Sequence, residues 1–255
     1  MTCKKGIAIL VSLVFTVLIM AGSAAALDKD KVYINGIDFG FPPFGFVDKQ
    51  GNPAGFDVES VNWIAKKMGF KVKHQPMDWD GIIPALLNKK IDFIASGMSA
   101  TAERNLLVDF TIPYYVVSQV LVVSADQPKT LEQLLTSGEK IGVQRGTVTN
   151  TLLKELKSKS GYDFVIVEYD STDLSMQDLP IGRIAGSGMD SSIAAELMKG
   201  NDKYKIAGTF DALPENYAYA VREEDDELLR TLNEGLTLLM ADPYWEELKA
   251  KWDIN

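Results

Sequence analysis

The 255-residue sequence has one cysteine, one histidine and fewer bases than acids. The cysteine, Cys3, precedes a long apolar run near the start, so a chain cut after that run could form no internal disulfide. A single histidine, His74, at a strand position is more typical of structure than of chemistry. Zinc-ligand and Ser/His/Asp spacings are missing, and neither a P-loop nor a dinucleotide loop is complete. We therefore expect no metal and no cofactor.

The first 26 residues have the pattern of a signal peptide. Lys4 and Lys5 precede an apolar run over residues 6–20, and three alanines at 24–26 offer a small-residue cleavage site. Loss of these two lysines with the leader would change the formal net charge from −9 to −11. Such an acidic protein would repel nucleic acid, and we expect an exported, soluble chain.

Strand and helix patterns alternate along the rest of the chain. This order predicts an α/β protein, and a composition that is 46% apolar suits two modest domains, each with its own core. Two strongly apolar extended runs interrupt the alternation. They lie at residues 116–123 and 215–221.

The stretch over residues 92–115 carries the main candidate for ligand binding. An apolar strand ends in small residues, and the pattern predicts a helix that opens at Thr101 with Arg104 in its first turn. Free backbone N–H groups, the Ser99 hydroxyl and a guanidinium would then converge, which is the donor set that a carboxylate needs. The alternative is a surface arginine paired with Glu103 or Asp109.

Other candidates lie where strands lead into helices. Trp79 precedes a helix at the rim where open α/β sheets bind ligands, and Thr147 caps the helix of a second strand–turn–helix unit. Phe41 follows a predicted strand at a proline-rich turn and is either a ligand contact or a core aromatic. Asp190 ends a strand of small residues and is either a ligand group or a helix cap. Asp57 is predicted to cap the first helix.

The order of several short motifs resembles one family. These motifs are FPPFGF followed by GFDVE, then WDGIIPAL, SGMSATAER with VDFTIPYY, IGVQRGT, GRI, and the closing ADPYWEELKAKW. Together they resemble extracytoplasmic solute-binding proteins of the polar amino-acid uptake family, which have the type II periplasmic binding fold. The resemblance covers essentially all of the chain after the leader.

The resemblance implies an architecture and a function. Each of two lobes would hold a mainly parallel sheet flanked by helices, and two hinge strands would join them. Lobe 1 would comprise residues 27–117 and 218–255, and lobe 2 residues 118–217. A monomer in the periplasm would bind a free L-amino acid in the cleft and deliver it to an ABC permease of the inner membrane.

The resemblance also implies three groups of ligand contacts: a carboxylate site, a pair of acceptors for the α-ammonium, and an aromatic sandwich. These are, in that order, Arg104 with Ser99 and Thr147, Asp190 with the Gly97 carbonyl, and Phe41 with Trp79.

The ligand's side chain would meet a different set of groups. Asp38 is the one acid expected at the far end of the pocket, with Gln144 and Met189 as neutral neighbours. This favours a polar neutral or basic amino acid over an acidic one, because an acidic ligand would face Asp38 without an added cation. Arg145 would reverse the preference if it pointed inward.

Two positions depart from the family pattern. Ala185 begins a run of very small residues where relatives have larger and acidic ones, and Val148 replaces a small or hydroxyl residue. Two other functions remain open: a periplasmic dehydratase-type enzyme on the same fold, and a ligand-sensing component for a membrane receptor.

Overall fold

The structure is a computed structural model that describes residues 27–254, so the predicted signal peptide lies outside the described residues. The helices are α1 Phe56–Met68, α2 Ile82–Leu87, α3 Leu131–Leu135, α4 Val148–Ser158, α5 Thr172–Asp178, α6 Ser191–Met198, α7 Asp226–Ala241 and α8 Tyr244–Trp252. The strands are β1 Val32–Ile37, β2 Gly40–Phe41, β3 Gly45–Val47, β4 Pro53–Ala54, β5 Lys71–Pro76, β6 Phe93–Ile94, β7 Asp109–Phe110, β8 Tyr115–Val117, β9 Gln119–Ser124, β10 Glu139–Gln144, β11 Phe164–Tyr169, β12 Gly186–Asp190, β13 Tyr204–Thr209, β14 Glu215–Tyr217 and β15 Ala220–Val221. Within residues 27–254, no helix has the length and apolar character needed to cross a membrane.

Two five-stranded sheets form the framework. The first has the order β5-β1-β6-β15-β7 and the second β11-β10-β12-β9-β13. In each sheet four strands run in one direction, and one strand, β15 or β9, is antiparallel to both of its neighbours. The predicted α/β class with mainly parallel sheets is therefore confirmed.

The reversed strand of each sheet follows a short strand of a separate antiparallel pair. Strands β8 and β14 pair with each other, and β9 and β15 are the next strands after them in the chain. The chain thus passes twice between the sheets at this pair. We propose the hinge here, with boundaries at residues 117/118 and 217/218, because the first sheet then takes strands from both ends of the chain.

The prediction of a helix that opens at Thr101 is wrong. The structure has only a 3₁₀ turn, Arg104–Leu106, before β7 begins at Asp109. Leu106 is 79% exposed and Leu107 is also exposed, so this segment has no apolar face that a helix could bury. Arg104 is therefore not placed by a helix N-terminus.

The prediction that Asp57 is the N-cap of the first helix is also wrong. Gly55 occupies the N-cap position of α1, and Asp57 lies fully buried in the first turn. Its Oδ2 accepts hydrogen bonds from the Gly97 backbone N–H at 2.6 Å and from the Tyr114 hydroxyl at 3.0 Å. A residue that looks like a local cap instead holds the loop that follows β6.

The close packing of α1 against α7 can be tested with a larger residue at the contact. A Cβ atom at Gly235 of α7 would lie 2.4 Å from Cγ2 of the buried Ile64 of α1. We expect Gly235→Val to lower the free energy of unfolding by about 1–3 kcal/mol, as overpacking does, in urea denaturation. The control Glu234→Val puts the same residue at an exposed position of α7 and should cost less than about 1 kcal/mol. Equal losses in the two variants would contradict the close packing.

Candidate functional site

The candidate site lies between the two sheets, where strands of both end. Asp38 follows β1, the loop with Gly97 follows β6, Gln144 ends β10, and Asp190 ends β12. The carboxyl ends of parallel strands are where open α/β sheets bind ligands. An open pocket of about 900 Å³ on this side is lined from both halves, with Arg104 among its residues.

Arg104 is oriented by two carbonyl groups. Nη1 donates to the Ser99 carbonyl at 2.9 Å, and Nη2 donates to the Gly146 carbonyl at 3.2 Å. Its guanidinium lies 5.3 Å from the centroid of the Trp79 ring. Burial lowers the pKa of Arg104, and the nearby Glu215 carboxylate opposes this. These contacts direct the guanidinium into the cleft, unlike the alternative of a surface ion pair.

Asp190 occupies the N-cap position of α6, but its side chain makes no capping hydrogen bond. Instead, the Tyr217 hydroxyl donates to Asp190 Oδ2. Burial raises the pKa of Asp190 to about 6, although the hydrogen bond from Tyr217 lowers it. The carboxylate is therefore held on the second sheet, facing a strand of the hinge.

Thr147 has the cap role that the sequence predicts. Its Oγ1 accepts from the Asn150 backbone N–H at 3.2 Å and donates to the Gln144 carbonyl at 2.8 Å. The hydroxyl proton is thus already used within the turn. A ligand carboxylate at this point would meet the first backbone N–H groups of α4 rather than the hydroxyl.

Gly97 lies in the left-handed region, with φ of 56°. A Cβ atom at this position would lie 2.6 Å from the Phe41 ring, so both the backbone conformation and the close approach require glycine. Because its N–H is bonded to Asp57, the loop is fixed beside the aromatic wall of the cleft.

Phe41 and Trp79 are both buried and nearly parallel. Their ring centroids are 6.2 Å apart, and the ring planes differ by 12°. The indole Nε1 of Trp79 donates to the Gly146 carbonyl at 3.1 Å. A flat group between two ring faces needs about 7 Å, twice the usual carbon contact distance, so a small displacement would admit one.

Asp38 and Gln144 meet across the cleft. The amide Nε2 of Gln144 donates to Asp38 Oδ2 at 2.9 Å and to the Asp170 carbonyl at 3.2 Å. Both side chains are buried, and burial raises the pKa of Asp38, although hydrogen bonds from Gly40 and Gln144 lower it. This contact places a buried acid where the two halves meet.

Met189 and Arg145 have different surroundings. Met189 is 3% exposed and belongs to the same apolar cluster as Phe41, so its contact with a ligand stays a prediction. Arg145 forms ion pairs with Asp80 at 3.3 Å and Asp170 at 2.9 Å, and its side chain is 45% exposed. It therefore does not place a cation inside the cleft.

The positions that depart from the family pattern have different surroundings. Val148 lines the pocket beside Thr147. In the small-residue run, a Cβ atom at Gly188 would lie 2.8 Å from Cγ2 of Thr149 on α4. The small residues of β12 therefore follow from helix packing against the sheet.

Several residues of the site have no sequence motif. Gly146 acts through its carbonyl, Tyr217 and Glu215 lie within an apolar extended run, and Asp57 resembles an ordinary cap. For Glu215 and Tyr217, the sequence signal is that they are polar residues within the otherwise apolar run at 215–221. Among residues 27–254, no cluster of three or more His, Cys, Asp or Glu side chains could hold a metal ion.

Comparisons with known proteins bear on this arrangement. Residues 33–254 match the family described as bacterial extracellular solute-binding proteins, family 3. The chain is similar to the ABC transporter arginine-binding protein 1 of Escherichia coli, with 29% identity over 94% of this chain and 98% of that protein. It is also similar to the structure of an ancestral arginine-binding protein bound to arginine, with a TM-score of 0.80, 36% identity and coverage of 88% and 99% of the two chains. A third similarity is to the ancestral amino acid-binding protein AncCDT-1, described as a precursor of cyclohexadienyl dehydratase, with a TM-score of 0.78, 33% identity and coverage of 88% and 96%.

The buried Asp57 predicts a pH dependence of stability. Burial raises its pKa to about 7 in the folded state, well above the ordinary value, so the folded chain holds a proton that the unfolded chain releases. The free energy of unfolding should therefore fall by about 2–4 kcal/mol as pH rises from about 4 to 7. Asp57→Asn should remove most of this slope in urea denaturation at a series of pH values.

The control for this slope is Asp126→Asn, at an exposed acid outside the cleft. Asp190 contributes a slope of the same sign, which both variants keep. An Asp57→Asn slope equal to that of the control would show that Asp57 titrates normally in the folded state.

Proposed function

This chain belongs to the bacterial extracellular solute-binding proteins of family 3. From that membership and the site we propose that its ligand is a free L-amino acid with a cationic side chain, with arginine as the first candidate. The fold is the two-lobe type II periplasmic binding fold that the sequence predicts. The chain binds its amino acid between the lobes and delivers it to an ABC transporter. The name of its Escherichia coli relative describes that protein as an ABC transporter arginine-binding protein.

The observation that carries the proposal is the placement of opposite charges on opposite sides of the cleft. Arg104 belongs to the half built on the first sheet, and Asp190 ends a strand of the second sheet. A zwitterion held between them satisfies both charges only when the halves are together and water is excluded. At micromolar affinity the net binding free energy is about −8 kcal/mol, so desolvation and closure offset most of the attraction.

The far end of the cleft supports a cationic side chain. Asp38 is a buried acid beside the parallel rings of Phe41 and Trp79. A guanidinium is planar, stacks on aromatic faces and pairs with carboxylates, so arginine suits both features at once. Glutamate and aspartate would face Asp38 without a compensating cation, because Arg145 is engaged at the surface.

The cellular setting follows from the leader and the family. We propose that residues 1–26 direct export and are removed, and that the mature chain works as a monomer in the periplasm with a permease of the inner membrane.

The second candidate function is a dehydratase, and one observation favours it. Burial raises the pKa of Asp190 to about 6, near the range useful for a general acid. The same carboxylate, however, accepts a hydrogen bond from Tyr217 and lies where an α-ammonium needs an acceptor. We therefore propose binding without turnover for this chain.

Ligand-induced stabilisation tests the proposal. Arginine at a hundredfold excess over its dissociation constant should add about 2.7 kcal/mol to the free energy of unfolding of the ligand-stripped mature chain. Its Tm should therefore rise by about 5–10 °C. Arg104→Ala should abolish the rise for every amino acid, because the carboxylate loses its bidentate partner. If Arg104→Ala keeps the full shifts, the carboxylate assignment is wrong.

Asp38 should set the choice of side chain. Asp38→Asn removes the charge that faces a guanidinium, so we expect the affinity for arginine to fall by about tenfold or more while that for glutamine changes less. Isothermal titration with both amino acids measures the ratio. The control Asp211→Asn, at an exposed acid, should leave both affinities unchanged. A parallel loss for both ligands in Asp38→Asn would remove Asp38 from the specificity role.

A further inference from the structure

Glu215 is an acid placed beside the proposed carboxylate site. It begins β14, pairs in register with Val117 of β8, and lines the same pocket as Arg104. Its Oε2 is buried and has no hydrogen-bond partner among residues 27–254. A buried, unpaired carboxylate oxygen is costly, so the position calls for a partner that binding would bring.

The groups around Glu215 are those assigned to the ligand. Ser99 forms an isolated β-bridge with Tyr217 of the same strand, and Arg104 lines the same pocket. Burial raises the pKa of Glu215, and the charge of Arg104 opposes this. Across the cleft, Glu215 raises the pKa of Asp190. Two further titratable groups act on Arg104: Tyr217, on the same strand as Glu215, and Glu103, which is exposed on the turn that carries Arg104.

Two carboxylates would therefore share one set of donors when an amino acid binds. Arg104 lines the same pocket as Glu215, and Ser99 forms a bridge with Tyr217, two residues along β14. The same pair is the proposed site for the ligand's α-carboxylate. When two carboxylates occupy one site, their repulsion favours protonation of one of them. A neutral Glu215 could then donate its O–H to the ligand's carboxylate instead of repelling it.

We propose that Glu215 couples binding of the ligand's α-carboxylate to the uptake of a proton, an inference that rests on the amino-acid-binding function proposed above. The bound state holds one more proton at Glu215 than the free state, so this residue makes affinity rise as pH falls. Asp190 acts in the opposite direction, because its protonation removes the acceptor for the α-ammonium. The contribution of Glu215 is thus measured as a difference between matched variants.

The experiment is isothermal titration with arginine in buffers of different protonation enthalpy, between about pH 5 and pH 8. Glu215→Gln should bind arginine about tenfold more tightly than the wild type near pH 8 and within about twofold near pH 5, with less proton uptake at intermediate pH. Glu103→Gln removes an acid that also acts on Arg104 but is exposed, and it should match the wild type in affinity and uptake. Equal proton uptake in Glu215→Gln and wild type would overturn the inference.

A second measurement needs no variant. Agmatine has arginine's side chain but no α-carboxylate, so its binding should lack the proton uptake assigned to Glu215. Uptake that is the same for arginine and agmatine would overturn the inference while leaving cation binding intact. A wild-type chain that binds no amino acid would overturn the proposed function and this inference with it.

Discussion

The structure depends on one incompletely satisfied cation. Arg104 donates to the carbonyls of Ser99 and Gly146, and these groups orient the guanidinium without neutralising it. A cation shielded from water by protein, with Trp79 over its face, is stabilised only in part by the more distant Glu215 and Asp190 carboxylates. The loops, the hinge and the second sheet are arranged around this point, so a ligand's carboxylate completes the charge balance.

Contacts between protein groups across the cleft also hold the halves together. The Gly146 carbonyl accepts from both Arg104 and Trp79, and Gln144 donates to Asp38. Each of these hydrogen bonds adds only about 1 kcal/mol of net stability. A ligand that adds a charge pair selects the closed state by differential contact, and the short hinge strands allow the change.

Local patterns carry much of the fold but less of the site. The α/β class and the Thr147 cap follow from spacing and from side chains that act on their own neighbours, and these could be predicted. Asp57 reads as a cap because the local pattern cannot show that Gly97 approaches it from 40 residues away. The turn at Arg104 and the buried carboxylate of Glu215 also depend on contacts between distant segments, and an alternating apolar pattern contains no information about them.

The charges in the cleft also bear on release. Asp190 and Glu215 act on Arg104, and Asp38 is a further buried acid of the cleft. The acids favour cations, so a dipolar ligand would bind with its ammonium and side chain aided by them. An acid beside the carboxylate site lowers the affinity for the ligand's α-carboxylate. A site selected only for tight binding would not contain it. A carrier must also release its ligand. After release, the Glu215 carboxylate remains near Arg104 and attracts its charge. The same residue that limits affinity therefore lowers the cost of leaving the guanidinium empty.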